Sequence, residues 1–427
     1  MDMKVKAKKL SGIIRAVPSK SDFHRILICA SLCTTDTNVK VNGFNTKESL
    51  SEDIKATIRC LEAFGTKLQY KDDTITVEST DKNSVQGGYT LDCGESGSTL
   101  RFMLPVCAAF GKSFTVTGTG RLPSRPIGDL LDQMREHGCV IEDDKLPLKV
   151  SGKLYGGHYL LPGDISSQYV TGLLFALPVL EKDSLIELTT DLESKKYVDM
   201  TVDTLNKFDI HIGKGNREYM IQGDKIYRSP QNINVEGDWS NAAFWLAAGA
   251  LSEDGITCCG LDMNSNQPDK EICELLIQIG ADVTIINDEV TVRKKDLNGI
   301  IMDASKCPDL VPIMSVLMSV CRGDSKIING QRLRIKESDR LASMGDNLTR
   351  LGAYVSERPD GLDIKGCDGL HGSQVEGYND HRIVMAMAVA SILSDNDVII
   401  NGSEAVNKSY KDFFKDFETL GGKADVI

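Results

Sequence analysis

The hydrophobic and polar positions of the chain repeat with one long period. Six times, an apolar pattern typical of a helix ends at a turn residue, and two short alternating strand patterns joined by a polar turn follow it. The turn residues recur about every 71 positions along the chain. They are Gly65, Gly138, Asp209, Gly280, Gly352 and Gly421. This recurrence predicts a chain built from six similar units.

A second series of landmarks interleaves with the first at the same period. Each member is a polar turn that contains an acid or a serine and opens directly into an apolar helix pattern. These turns are centred near residues 20, 96, 166, 238, 309 and 380. Together, the two series predict that each unit has the order strand, helix, strand, helix, strand, strand. That order indicates an α/β protein of the α+β type with mixed sheets.

Three such units are enough to bury one core, so we expect two similar domains of three βαβαββ units each. Pro18 and Pro230 mark the two places where the chain passes between the domains, because the residue before a proline is extended. We expect a first domain at 19–228 and a second at 1–18 with 229–427. A strand at 4–8 would complete the last unit beside a strand at 424–427. We expect the active site in the cleft between the domains.

The composition excludes several classes of protein. Hydrophobic residues make up 41% of the 427 positions and charged residues 26%, which is typical of a folded soluble domain. No apolar stretch is long enough for a membrane span, and the first ten residues do not resemble a signal peptide, so we expect the cytoplasm. The net charge of -12 argues against a nucleic-acid partner. The 12 scattered cysteines and six histidines predict no disulfide framework and no metal site.

The polar turns are candidate anion sites, because the first amide groups of a helix and its dipole favour negative charge. Some of their residues are ordinary helix caps by type. These are Ser166 or Ser167, Asp238, Ser240, Asp309 and Asp380. Basic residues cluster at the same turns, and they suggest a site for two anionic groups, although each alone would also suit the surface. They are Lys20, Arg25, Arg101, Arg121, Arg125, Lys336, Arg340, Arg382 and Lys408.

Nine motifs stand in order along the chain: PSKSDFHR at 18–25, GESGSTLR at 94–101, RPIG at 125–128, SSQ at 166–168, SKKY at 194–197, PD at 308–309, RIKESDR at 334–340, NDHR at 379–382 and NKS at 407–409. Together they resemble the motifs of the EPSP synthase family of enolpyruvyl transferases. The resemblance implies two domains, each of three βαβαββ units, that close on their substrates. This agrees with the repeats counted above.

The resemblance implies an addition-elimination reaction of the shikimate pathway, which leads to chorismate and the aromatic amino acids. The enolpyruvyl group of phosphoenolpyruvate passes to the 5-hydroxyl of 3-phosphoshikimate, which gives 5-enolpyruvylshikimate 3-phosphate and phosphate without a cofactor. By resemblance, 3-phosphoshikimate binds Lys20, Ser21, Arg25, Ser166, Ser167, Gln168, Ser194, Tyr197, Asp309 and Lys336. Phosphoenolpyruvate binds Lys20, Gly97, Arg125, Gln168, Arg340, Arg382 and Lys408.

Proton transfer needs an acid and a base at opposite ends of the reaction. Glu337 is the candidate at C3 of phosphoenolpyruvate, and Asp309 is the candidate that accepts the hydroxyl proton. Lys20 is expected near the bridging oxygen of the leaving phosphate. Exchanges of role among Lys20, Glu337 and His381 stay open.

Two positions depart from the family pattern, and two other functions remain alternatives. Glu95 stands where the family usually has asparagine, so the response to the analogue glyphosate stays open. Arg332 also stands where asparagine is common, and it is expected to replace one phosphate contact by a stronger one. A UDP-N-acetylglucosamine enolpyruvyl transferase would share the fold and the reaction type. A non-catalytic repeat protein that binds anions would keep the arginines but would not need Asp309 and Glu337. We expect a monomer, because two self-contained domains need no partner.

Overall fold

The sixfold alternation of helices and strands is present in the computed structural model, which describes residues 1–6, 9–43 and 46–427. The strands are β1 Met3–Lys6, β2 Gly12–Arg15, β3 Thr37–Lys40, β4 Lys67–Lys71, β5 Thr74–Glu78, β6 Tyr89–Asp92, β7 Phe114–Thr117, β8 Cys139–Ile141, β9 Leu148–Gly152, β10 His158–Leu161, β11 Ser184–Leu188, β12 Ile212–Lys214, β13 Glu218–Ile221, β14 Asn232–Asn234, β15 Ile256–Cys259, β16 Asp282–Ile286, β17 Glu289–Arg293, β18 Ile301–Asp303, β19 Asp324–Ile328, β20 Tyr354–Arg358, β21 Gly361–Lys365, β22 Gln374–Glu376, β23 Val398–Asn401 and β24 Lys423–Val426. The α-helices are α1 Lys20–Ser31, α2 Glu52–Ala63, α3 Gly97–Ala108, α4 Gly128–Glu136, α5 Ser167–Ala176, α6 Lys195–Lys207, α7 Trp239–Ala250, α8 Ile272–Ile279, α9 Val311–Met318, α10 Arg340–Arg350, α11 His381–Ala390 and α12 Phe413–Thr419. In this part of the chain, no helix is both long enough and apolar enough to cross a lipid bilayer.

Contacts divide the chain into two compact units. The internal unit is Lys20–Val235, and the terminal unit is Met1–Ser19 with Glu236–Ile427. Each has its own core of buried hydrophobic side chains. Pro230, where we expected the chain to cross, lies inside the internal unit, because β14 pairs in parallel with β3 there.

Within the described ranges, six sheets of four strands share one topology, three in each unit. A parallel pair forms one edge of each sheet and an antiparallel pair the other, so the predicted mixed sheets are confirmed. The orders in the internal unit are β14-β3-β5-β4, β6-β7-β9-β8 and β10-β11-β13-β12. The orders in the terminal unit are β2-β15-β17-β16, β18-β19-β21-β20 and β22-β23-β1-β24.

Two strands are exchanged between the units relative to their order in the chain. β2 precedes α1 but pairs in parallel with β15, which follows α7. β14 precedes α7 but pairs with β3, which follows α1. Each unit thus completes its first sheet with a strand that the simple repeat would place in the other.

The N-terminal strand completes the last sheet of the terminal unit. β1 lies between β23 and β24 and is antiparallel to both, with Met3 opposite Ile400 and Val426. The predicted pairing of this strand with the end of the chain is confirmed. Ala7 and Lys8, the last residues of the predicted strand, lie outside the described residues.

The helices that follow the six polar turns form the centre of each core. α3 and α5 in the internal unit are buried at nearly every position, as are α7, α9 and α11 in the terminal unit. α1 is buried from Asp22 to Ser31. A helix that is apolar all round has no face to offer to water, so it is stable only inside a core. Its start is therefore the part that must lie in polar surroundings.

The predicted turns after the other helices adopt the left-handed backbone conformation. Gly280 caps α8 with φ of 102°. Asp209, the one non-glycine member of the series, also has a positive φ of 63°. Aspartate is among the few residues that tolerate this conformation, which explains why the motif survives without glycine there.

Candidate active site

Four of the six helix starts are capped by side chains of the predicted polar turns. Asp238 Oδ1 accepts a hydrogen bond from Asn241 N at 2.7 Å, and Asp380 Oδ1 accepts one from Arg382 N at 2.9 Å. The hydroxyl oxygens of Ser96 and Ser166 cap α3 and α5 in the same way.

The expectation that Asp309 and Ser240 are caps is wrong. Asp309 lies inside a short 3-10 helix, Pro308–Leu310, whose N-cap residue is Cys307, and the N-cap residue of α9 is Leu310. The hydroxyl of Ser240 donates a hydrogen bond to the buried carboxylate of Asp269. Capping therefore does not account for the carboxylate of Asp309.

The first turn of α1 places two predicted cations. Lys20 Nζ donates to Asp53 Oδ2 on α2 at 2.7 Å. Arg25 is buried, and its Nη1 and Nη2 donate to the backbone oxygens of Ser21 at 2.6 Å and Tyr197 at 2.8 Å. Burial lowers the pKa of the Arg25 guanidinium to about 10, so it stays protonated at neutral pH. Arg25 therefore contacts Ser21 and Tyr197, and all three were expected at the shikimate phosphate.

The glycine turn before α3 brings two guanidinium groups close to the backbone. A Cβ atom on Gly97 would lie 2.6 Å from Arg101 Nη1 and 2.7 Å from Arg125 Nη1. Arg101 Nη1 also donates to Gln168 Oε1 at 3.1 Å, and Gln168 Nε2 donates to Ser98 Oγ at 3.0 Å. A side chain at position 97 would therefore displace these two guanidinium groups. The sequence pattern included Arg101 among its basic residues but did not assign it to either substrate. The structure places it beside Gly97 and Gln168, two of the expected substrate contacts.

Three more of the residues expected at the shikimate phosphate lie at the starts of α5 and α6. Ser167 is buried in the first turn of α5, next to the cap Ser166. Ser194 is the N-cap residue of α6 and is held at φ of 55°, a conformation that serine adopts only at a cost. Backbone strain of this kind is concentrated at functional sites.

A buried chain of hydroxyl groups, which no sequence pattern predicted, links α1 to the glycine turn. His24 Nδ1 lies 2.7 Å from Thr57 Oγ1, and Thr57 Oγ1 lies 2.6 Å from Thr99 Oγ1. Thr99 Oγ1 in turn donates to Ser96 Oγ at 2.8 Å. Burial, with Lys20 and then Arg25 nearby, holds the pKa of the His24 imidazole well below its usual range, so the ring is neutral.

In the terminal unit, one buried guanidinium group contacts three carboxylates. Arg340 Nη1 donates to Asp309 Oδ1 at 2.6 Å, and its Nη2 donates to Glu337 Oε2 at 3.0 Å. Its Nε donates to Asp380 Oδ2 at 2.8 Å. Arg382 Nη2 donates to the second oxygen of Asp309 at 2.9 Å. Four of the predicted residues, together with the cap Asp380, therefore form one network of charged groups.

The charges of this network oppose the effect of burial. Burial raises the pKa of the Asp309 carboxyl, but Arg382, Arg340 and Lys336 outweigh it and hold that pKa well below its usual range. The opposite happens at Lys336, where burial lowers the pKa to about 8 despite the nearby Asp309. Asp309 is therefore ionised at all working pH values, whereas Lys336 changes charge just above neutrality.

Three further buried side chains of the terminal unit carry titratable groups. His381 is buried at the start of α11, with its Nδ1 3.8 Å from Asp380 Oδ1. Lys408 Nζ donates to the backbone oxygen of Asn379 at 2.6 Å. Asp269 was not predicted, because it belongs to no polar turn, and burial followed by the charge of Asp309 raises its pKa to about 6.

The comparisons with known proteins show the family of the chain. A family model described as EPSP synthase (3-phosphoshikimate 1-carboxyvinyltransferase) matches residues 5–417. The chain belongs to the EPSP synthase family. A 3-phosphoshikimate 1-carboxyvinyltransferase of Clostridium kluyveri is 43% identical over 420 residues, which cover 98% of this chain and 96% of that protein. That of Clostridium novyi is 43% identical over 436 residues, which cover 99% and 98%.

Solved structures share the fold. An EPSP synthase from Acinetobacter baumannii superimposes with a TM-score of 0.83 at 22% identity and covers 100% of both chains. The enolpyruvyl transferase NikO from Streptomyces tendae gives a TM-score of 0.77 at 16% identity and covers 99% of this chain and 98% of its own. The expected fold class is confirmed. The family match favours an EPSP synthase over the sugar-nucleotide enolpyruvyl transferase and over the protein that only binds anions.

The Arg340 network predicts a large stability difference between two positions of α10. Arg340→Met leaves three carboxylates without their shared cation, so the free energy of unfolding should fall by about 3–5 kcal/mol. Arg350→Met is the matched control, because the side chain of Arg350 is exposed and pairs only with Asp346. Urea titration followed by circular dichroism measures both. Equal midpoints for the two variants would contradict the structural role of the network.

Proposed function

We propose that this chain transfers the enolpyruvyl group of phosphoenolpyruvate to the 5-hydroxyl of 3-phosphoshikimate. The observation that carries the proposal is the Asp309 carboxylate, which accepts hydrogen bonds from both Arg340 and Arg382 beside Glu337. A protein that only binds anions gains nothing from acidic groups among its cations. A transferase needs them, because protons must move to and from its substrates.

We propose that residues of both units act on the same two anionic substrates. Lys20, Arg125, Gln168, Arg340, Arg382 and Lys408 bind phosphoenolpyruvate, with the backbone of Gly97 against it. Lys20, Ser21, Arg25, Ser166, Ser167, Gln168, Ser194, Tyr197, Asp309 and Lys336 bind 3-phosphoshikimate. Forked guanidinium groups match the paired oxygens of carboxylate and phosphate, and this favours arginine at these positions.

The reaction proceeds by addition and then elimination. Protonation of C3 of phosphoenolpyruvate gives cationic character to C2, and the 5-hydroxyl oxygen bonds to C2 as it loses its proton. The tetrahedral intermediate then breaks the bond between C2 and the phosphate oxygen, and C3 releases a proton to restore the double bond. Glu337 exchanges the proton at C3, Asp309 accepts the hydroxyl proton, and Lys20 stabilises the leaving phosphate. His381 is the other candidate for a proton-transfer role.

Substrate binding supplies the basicity that Asp309 lacks in its ion pairs. The pKa of Asp309 lies well below its usual range because Arg382, Arg340 and Lys336 offset the effect of burial. Phosphoenolpyruvate and 3-phosphoshikimate compete for these same cations, since both are anions. As the cations turn to the substrates, the burial of Asp309 dominates and its pKa rises. Asp309 then becomes a base at the stage when the 5-hydroxyl must lose its proton.

We further propose that the protein works as a monomer in the cytoplasm without a cofactor. Each unit buries its own hydrophobic core, so neither depends on a second chain for stability. Sedimentation should give a mass near 46.7 kDa that does not change with concentration. A dimer that persists on dilution would contradict the monomer.

The function is tested by phosphate release. The purified chain should release phosphate from phosphoenolpyruvate when 3-phosphoshikimate is present, and not when UDP-N-acetylglucosamine replaces it. Asp309→Asn and Glu337→Gln should each lower kcat by about 100-fold or more, because each removes a proton-transfer group. Asp288→Asn, an exposed aspartate of the same unit, should leave kcat unchanged. Release with the sugar nucleotide alone would make the chain an enzyme of the other type, and no release with either acceptor would reject the transferase.

The pKa of Lys336 predicts an alkaline limit to the binding of 3-phosphoshikimate. Below a pH of about 8 the ammonium group is charged and attracts the substrate, and above it the charge is lost. The kcat/KM for 3-phosphoshikimate should therefore fall above pH 8, whereas a phosphate monoester completes its own ionisation near about pH 6. In Lys336→Arg the fall should move to higher pH, because a guanidinium group stays charged. Lys326→Arg, at an exposed position of β19, is the control. An unchanged profile in Lys336→Arg would remove Lys336 from this role.

A further inference from the structure

The two segments by which the chain leaves and re-enters the terminal unit run side by side. The chain leaves after Ser19 and returns at Glu236. Ser19 N donates to Glu236 O at 2.8 Å, and Asp238 N donates to Val17 O at 2.8 Å. Backbone hydrogen bonds therefore hold the leaving segment and the returning segment together.

A single buried amide side chain binds both of these segments. Gln267 precedes the 3-10 helix Pro268–Glu271 and is 3% exposed. Its Oε1 accepts hydrogen bonds from Ser19 Oγ at 3.0 Å and from Trp239 N at 3.1 Å. Its Nε2 donates to Glu236 Oε2 at 3.1 Å and to Gly237 O at 2.9 Å. The full hydrogen-bonding capacity of the amide is used on the two segments.

The partners of Gln267 fix the orientation of the amide. The backbone N–H of Trp239 can only donate and the backbone oxygen of Gly237 can only accept, so Oε1 and Nε2 cannot be interchanged. Ser265 Oγ accepts from Gln267 N at 3.1 Å and donates to Glu236 Oε2 at 2.6 Å. The side chain therefore lies in a site built for one amide in one orientation.

The position of Gly237 leaves the returning segment little freedom. A Cβ atom on Gly237 would lie 2.1 Å from the backbone oxygen of Gly260, so the segment packs directly against a neighbouring backbone. Trp239, which binds the amide, is the first residue of α7. On the other segment, Ser19 is followed at once by Lys20, the first residue of α1.

We propose that Gln267 is a positioning residue for the transfer reaction, which sets the location of Lys20 by holding Ser19 to the returning segment. The inference rests on the proposed function, since it assigns Lys20 to the phosphoenolpyruvate site. Gln267 contacts neither substrate. It acts through the backbone, because a shift of Ser19 moves the adjacent Lys20, and small errors in the position of a reacting group reduce the rate strongly.

The sharpest test is Gln267→Glu, which preserves volume but replaces the two N–H donors with a carboxylate oxygen. That oxygen faces the Glu236 carboxylate and the Gly237 carbonyl, so the two carboxylates repel one another unless they share a proton. Glu236 is the titratable group that contacts the amide, while Asp238 of the returning segment binds Asn241 and Asp269, two residues after Gln267, binds Ser240.

We expect kcat of Gln267→Glu to be at least about tenfold below that of the unmodified chain at pH 8 and within about threefold at pH 6, because proton uptake restores one donor. The double variant Glu236→Gln with Gln267→Glu should recover part of kcat at pH 8, because the new amide at position 236 can donate to the new carboxylate at position 267 and so restores a hydrogen bond between the two side chains. Gln278→Glu adds the same charge at an exposed position of α8 and should have no effect.

The outcomes separate positioning from stability and from the function itself. A kcat for Gln267→Glu equal to that of the unmodified chain, or one that falls only with the folded fraction seen by circular dichroism, overturns the inference. No rescue by Glu236→Gln also overturns it. If Gln267→Glu does not fold, Ser19→Ala decides, since it removes one hydrogen bond to the amide: a fall of about threefold in kcat supports the inference, and an unchanged kcat rejects it. No phosphate release by the unmodified chain would reject the proposed function instead.

Discussion

The amide groups that begin a buried helix must find polar partners, and this requirement organises both units of the protein. Six helices lie in the cores, and their first turns cannot be satisfied by apolar neighbours. Each therefore begins at a polar turn, where Ser96, Ser166, Asp238 and Asp380 serve as caps. Anions need the same N–H groups and the same helix dipole. The candidate site thus lies where the fold already requires polar chemistry.

The repeat could be predicted from the sequence because each of its recurring turns has a local physical cause. A left-handed turn favours glycine, or aspartate at position 209, and a helix start favours an acid or a serine. The exchange of β2 and β14 could not be predicted in the same way. Judged by sequence alone, each strand could pair with a strand of either unit. The observed pairing depends on where the chain passes from one unit to the other.

The site was predicted as far as its residues belong to the motifs, and less well in its contacts. Asp309 is of a type that caps helices, but arginines of α10 and α11 bind its carboxylate, and they are far from it in the chain. Asp53 and Gln267 lie outside every motif, so only folding places them beside Lys20 and Ser19. Local patterns identify which side chains carry chemistry, whereas the partners that tune and position them come from tertiary structure.

The carboxylates around Arg340 also stabilise the fold. A guanidinium group that is 1% exposed needs counter-charges whether or not a substrate is bound, because its desolvation is otherwise too costly. Asp309, Glu337 and Asp380 supply them. An anionic substrate then competes with carboxylates for cations that are already in place. Part of its binding free energy is used in that exchange, and the exchange returns Asp309 to the higher pKa that proton transfer requires.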